Sequence, residues 1–112
     1  MASNPAYDLD IVHRVARSGN VVVDRRAERD SQNHGYFECE RIDCICRLTL
    51  ADYRKTLTYP PEVPGGRALT YDVYKARCRS SEGIEDFLYI KLRVSAKNWL
   101  YIGSFKPLGS SA

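Results

Sequence analysis

Residues 87–94 read FLYIKLRV, and their alternation decides the fold. Leu88, Ile90, Leu92 and Val94 fall on one side of an extended chain, and Phe87, Tyr89, Lys91 and Arg93 on the other. A period of two with β-branched and aromatic residues specifies a strand with one face on a core and one face open. TYDVYKAR before it and NWLYIGSF after it have strand composition as well, and Lys97 with Asn98 suits a short hairpin connection. The C-terminal part is therefore expected to be an antiparallel meander of about three strands.

Upstream the period lengthens. Leu9 to Ser18 reads as a helix: Asp8 and Asp10 favour its N-terminal dipole, Ile11, Val12, Val15 and Ala16 form one apolar stripe, and Gly19 stops it. Val21 to Val23 is too short to classify alone. The charged segment DRRAERDSQNHG that follows is expected at the surface, helical or looped. In FECERIDCICRL the spacing of Cys39, Ile42, Ile45 and Cys46 predicts one buried helical face, with Glu38, Arg41 and Asp43 pointing elsewhere. A strand placing Cys44 and Cys46 on one side is the alternative. Thr49 and Asp52 resemble a capping box, predicting a short helix that carries Leu50, Tyr53, Arg54 and Lys55. YPPEVPGG, residues 59–66, cannot continue it and forms a loop. The order, helices first and strands second, defines an α+β fold with N-terminal helices packed on a small C-terminal antiparallel sheet.

At 112 residues the chain has room for one core, so a single domain over 1–112 is expected, ordered from about 8 to 107. GSSA is the one low-complexity stretch. No run approaches the roughly 18 to 20 apolar residues needed to span a bilayer, and the start lacks a basic leader followed by an apolar run. The expected address is the cytoplasm, with no membrane partner. There the four cysteines, Cys39, Cys44, Cys46 and Cys78, read as reduced thiols. The net charge of +3 is unevenly placed. Residues 1–68 carry ten basic and ten acidic side chains, residues 69–112 seven and four, so a polyanion meets the C-terminal part first.

Tyr89, Lys91 and Arg93 make a row of one aromatic and two cations about 6.5 to 7 Å apart, a spacing that can stack a base and bind its phosphates. The same row also serves an ordinary solvated sheet face. His34, Cys39, Cys44 and Cys46 match no common zinc spacing and are read as packing groups, so no metal or cofactor is assigned. Cys78 has cationic neighbours but no local histidine to act as its base. His13 and His34 lie far in sequence from the sheet, so a paired-histidine nuclease has no local support. A protein-binding surface of Tyr71, Tyr74 and Trp99 is a further reading.

ADYRKTL, YDVYKA, DFLYIKLRV and LYIGSFKP occur in the order seen in the MqsR family of toxins, and the sequence resembles that family from about Leu9 to Pro107. The resemblance implies a RelE-like fold that cleaves single-stranded mRNA without a metal. It also implies a separately encoded antitoxin partner with zinc-binding and DNA-binding portions. The family's active lysine falls on Lys55, its sheet tyrosine on Tyr89 and its C-terminal lysine on Lys106. The family's glutamine is replaced by Tyr71, which puts that role and the cleavage preference in question. The proline-rich loop, RCRSSEGIED and the final hairpin are longer than the family's. Lys91, Arg93, Lys75 and Arg54 complete the expected RNA-binding set. By strict alternation Lys106 shares a side with Leu100 and Ile102 rather than with Tyr89; either a bulge or twist near Gly103 turns it, or its side chain reaches around the strand end.

Overall fold

The computed structural model describes residues 4–108, and the GSSA stretch lies outside them. Helix α1 spans Leu9–Ser18, capped by the Asp8 carboxylate at one end and by left-handed Gly19 at the other. A short strand β1 (Val21–Val23) leads into α2 (Arg25–Asn33) and α3 (Glu38–Cys46). Then come β2 (Tyr53–Tyr59), β3 (Leu69–Arg79), β4 (Glu85–Val94) and β5 (Leu100–Pro107). The strands form one five-stranded sheet in the order β1-β5-β4-β3-β2. The architecture is α+β with helices N-terminal and sheet C-terminal. The expected three-stranded meander is β3-β4-β5, and the sheet gains β2 antiparallel on one edge and β1 parallel on the other.

The three helices lie on one side of the sheet. Val12, Val15 and Ala16 from α1, Cys44 and Ile45 from α3 and the following Leu48 pack against Tyr74 and Ala76 of β3. Leu88, Ile90 and Leu92 of β4 and Leu100, Ile102 and Phe105 of β5 complete that core. Asp72 is also buried on this side. Its carboxylate accepts the Ala6 and Tyr7 backbone N–H groups at 2.9 Å each and a hydroxyl from Thr56 at 2.6 Å, fastening the N-terminal segment to the sheet. The carboxylate is buried with its lone pairs met, as the cost of burying a charge demands.

Four expectations are corrected. The Thr49–Asp52 pairing exists, with the Asp52 carboxylate 2.9 Å from the Thr49 N–H, but it opens only the 3₁₀ turn Leu50–Asp52. Tyr53, Arg54 and Lys55 enter β2, because the β-branched, aromatic run TLTY pairs with β3 and a strand satisfies those side chains better than a helix does. In α3 the buried face is Arg41, Cys44 and Ile45, continued by Leu48, while Cys39 is exposed and Ile42 and Cys46 are half-buried. Arg41 can go inside because its guanidinium donates to Ser31 Oγ and the Tyr36 carbonyl, both at 2.9 Å. The thiols are not all reduced: Cys44 on α3 faces Cys78 on the core side of β3 with their Cα atoms 5.7 Å apart, and the two are disulfide-bonded. Tyr74, named as an exposed aromatic, is fully buried.

Candidate nucleic-acid interface

The other side of the sheet faces solvent, and the register arranges it in cross-strand rows. Lys75 of β3, Tyr89 of β4 and Lys106 of β5 are direct partners. The neighbouring row is Lys55 of β2, Val73 of β3, Lys91 of β4 and Ser104 of β5. Beyond it Arg93 stands opposite Tyr101, and Leu57 opposite Tyr71. Partners in a row lie about 5 Å apart, and adjacent rows roughly 6.5 to 7 Å.

Lys106 reaches this face through a bulge. Leu92 pairs with Ile102 and Lys91 with Ser104, so Gly103 is an extra residue on β5. Before it Leu100 and Ile102 point to the core, and after it Phe105 does, which turns Lys106 out beside Tyr89. Space at that position is tight for any larger residue. A Cβ there would come within 3.0 Å of the Lys91 Cε and 3.1 Å of the Tyr71 ring.

Lys55 lies two strands and one row from Tyr89, roughly 12 Å between Cα atoms by sheet geometry, a gap that a lysine and a tyrosine side chain span together. Val73 sits between Lys55 and Lys91 and is wholly inaccessible although it faces away from the helices. The long side chains around it therefore close over it, giving the two lysines an apolar floor.

Tyr71 belongs to a different cluster. It stands on the far side of the Lys91 row from Tyr89, edge-on to Tyr59 with centroids 5.7 Å apart. The Lys91 ammonium lies 4.8 Å from the Tyr59 ring and 5.2 Å from the Tyr71 ring, and donates to the Tyr59 hydroxyl at 3.1 Å. The Arg93 guanidinium stacks on Tyr101 at 4.0 Å and stands 5.9 Å from Tyr71. Two cations braced against three tyrosines lose rotamer freedom and stand as a rigid cationic cluster. Tyr7 borders the cluster, and burial with the Asp72 charge beside it pushes its hydroxyl above the usual phenol range.

The remaining expected site residue, Arg54, is the extra residue of a second irregularity, in β2. Its guanidinium donates to the Ala51 and Tyr53 carbonyls, which holds it at the start of the strand near Lys75 rather than over the open face. Across β3, β4 and β5 the outward positions carry six cations, Lys75, Arg77, Arg79, Lys91, Arg93 and Lys106, against one carboxylate, Glu85. A face so charged attracts a polyanion. Tyr59, Tyr101, Arg77 and Phe87 also stand on it or at its rim. Tyr101 was readable from its alternation with Leu100 and Ile102. Tyr59 carries no such signal, because it directly precedes Pro60 and Pro61, where the sequence pattern indicates a loop.

His34, Cys39, Cys44 and Cys46 do not gather as a metal-binding group among the described residues. Cys44 is bonded to Cys78, and His34 Nδ1 lies 2.9 Å from the Asp30 carbonyl. Among the described residues no three histidines, cysteines or carboxylates are grouped to hold a metal, and no helix is long and apolar enough to cross a membrane.

Fold and face together define a small α+β protein whose solvent-facing sheet is a cationic, tyrosine-lined surface. A protein-family model described as "Motility quorum-sensing regulator, toxin of MqsA" matches residues 4–107, nearly the whole chain. The chain belongs to this family of toxins. No curated protein matches its sequence.

Proposed function

We propose that this toxin, acting within a toxin–antitoxin system, is an endoribonuclease that cuts single-stranded mRNA by transphosphorylation. The ribose 2′-OH attacks the adjacent phosphate, the 5′-oxygen leaves, and the products are a 2′,3′-cyclic phosphate and a free 5′-OH. The observation that carries this reading is the row Lys75–Tyr89–Lys106, brought into line by the Gly103 bulge with Lys55 one row away.

The reaction needs a proton removed, a proton supplied and extra negative charge stabilised on the phosphorane. For any lysine to act as the base near pH 7, its ammonium would have to become roughly a thousandfold more acidic, about 4 kcal/mol of perturbation. A lysine that stays charged needs none of that. Lys55 and Lys106 therefore stabilise the phosphorane, and Tyr89 between the cations relays the proton lost by the attacking 2′-OH to the departing 5′-oxygen. Lys75, Lys91 and Arg93 hold phosphates, with Arg54 at the margin. Tyr71, placed with Lys91 and Arg93 rather than with Tyr89, supports binding in this reading instead of catalysis. No step calls on a metal.

The partner is a cognate antitoxin, by family resemblance a protein with zinc-binding and DNA-binding portions, and the place of action is the cytoplasm, where mRNA is found. The test is cleavage of a labelled RNA in EDTA by the parent and by Lys55→Ala, Tyr89→Phe and Lys106→Ala. Each variant is expected to lose about 10² to 10⁴ in kcat, the usual scale of a proton-transfer or charge-stabilising role. Undiminished cleavage by all three would remove the site, and a requirement for a divalent ion would remove the mechanism. A gel shift with no cyclic-phosphate product would reduce the protein to an RNA-binding module using the same face.

A further inference from the structure

The β2 strand pairs with β3 only as far as Tyr74, so Lys75–Arg79 forms a bare edge of the sheet. A cavity of about 320 Å³ wraps round that edge, lined by Arg47, Arg54, Lys75, Arg77 and Phe87. Among the described residues Asp52 is the only carboxylate in its wall, and it is occupied by the Thr49 N–H and hydroxyl at 2.9 and 3.2 Å. Among the described residues Arg47 is paired only with Asp43, in a contact exposed on both sides, which holds it weakly. The Cys44–Cys78 disulfide fastens the C-terminal end of α3, and Arg47 with it, against this edge.

The cleft is continuous with the reaction row. Lys75 is common to both, and the pair Arg77–Phe87 stands one row beyond Lys75–Tyr89, roughly 6.5 to 7 Å along the strands. Phe87 is 43 % exposed, a large apolar ring with solvent on it among arginines. Guanidinium forks match phosphate oxygens in pairs, and an open aromatic face stacks any base. An acidic polypeptide would use the arginines but leave the ring without purpose.

We propose that this edge cleft is a second RNA subsite, which seats the nucleotide next to the cleaved phosphate with its base on Phe87 and its phosphate on Arg77, Arg54 and Arg47. The assignment rests on the reading of Tyr89 and Lys106 as the cleavage centre. It makes the enzyme sensitive to substrate length on one side of the cut.

The test uses the full chain and short 2′-O-methyl RNAs, which cannot be cleaved, in fluorescence anisotropy. The parent is expected to gain about tenfold in affinity when the RNA is lengthened by two nucleotides at one end and little at the other. Phe87→Ala and the exposed-surface variant Arg77→Gln are expected to lose most of that gain. Arg77→Gln should also lower the slope of log affinity against log salt by about 0.7. Arg17→Ala, on the exposed side of α1, keeps it. An equal gain in parent and variants overturns the subsite. So does displacement of polyglutamate, but not RNA, by these substitutions, which would give the cleft to an acidic protein. All-ribose RNA run in parallel separates the two claims. If the parent leaves it uncut while the gain still depends on Phe87, the cleavage reading fails and the cleft remains an RNA-binding site only.

Discussion

Tyr36 and Tyr74 are both fully buried, yet their hydroxyls differ in what they touch. Tyr36 donates to the Asp86 carboxylate at 2.7 Å and contacts the Cys78 carbonyl at 3.1 Å, whereas the Tyr74 hydroxyl has no partner among the described residues. Tyr36→Phe should therefore cost about 2 kcal/mol in chemical denaturation. Tyr74→Phe should leave stability unchanged or raise it by less than about 1 kcal/mol, since it removes an unmet polar atom. Burial raises both hydroxyls above the ordinary phenol value of 10.0, helped at Tyr36 by the hydrogen bond to Asp86 and at Tyr74 by the Asp72 charge. The folded state then binds these protons more tightly than the unfolded chain. The resulting stability is fully present below about pH 10 and is lost as pH rises beyond it, by up to about 1.4 kcal/mol per pH unit for each tyrosine. Equilibrium unfolding between pH 9 and 11 should show that fall, and each Phe variant should flatten it.

At the scale of elements, β5 shows how a single residue sets which side chains meet. Periodicity alone puts Lys106 inward, and only the family resemblance, which sets it beside Tyr89, pointed to Gly103, where the ladder skips a residue. Gly103→Leu places atoms where Lys91 and Tyr71 now lie, so it should weaken RNA binding several-fold while costing about 1 to 3 kcal/mol of stability. An unchanged affinity would mean that the Tyr59–Tyr71–Lys91 cluster does not touch RNA. The β2 strand was missed for the opposite reason. Its N-terminal signal was real, but a local cap is worth only about 1 kcal/mol, and pairing along β3 outweighs it. The α3 face was misjudged because a charged residue was assumed to point to water. The Ser31 hydroxyl and the Tyr36 carbonyl that make Arg41 acceptable inside come from α2 and the turn after it.

For the whole molecule, the Cys44–Cys78 bond ties the helical layer to the sheet across 34 residues. Closing a loop of that length in the unfolded chain is worth about 4 kcal/mol, so Cys78→Ser or reduction should lower stability by up to that amount. Thermal unfolding with and without reductant measures it, and Cys39→Ser should have no such effect. The open face acts as a unit too. On the proposed reading, in which Lys75, Lys91, Arg93, Lys106 and Arg77 meet four or five phosphates, log affinity for single-stranded RNA should fall against log salt with a slope of about −3. A slope near zero would disqualify the face as the binding surface.

The chain's own order of residues determined the α+β class, the α1 boundaries, the meander and the outward row of Tyr89, Lys91 and Arg93, because each follows from local periodicity and caps that neighbouring residues impose. The family, too, was recognisable from the order of its segments. Which cations share a cluster was decided only by tertiary structure. The Lys75–Tyr89–Lys106 row, the separation of Tyr71 from it, the edge cleft at Arg77 and the Cys44–Cys78 bond all depend on strand register and on where β2 stops. Those are settled by the packing of distant segments against one core, and local sequence carries no record of that balance.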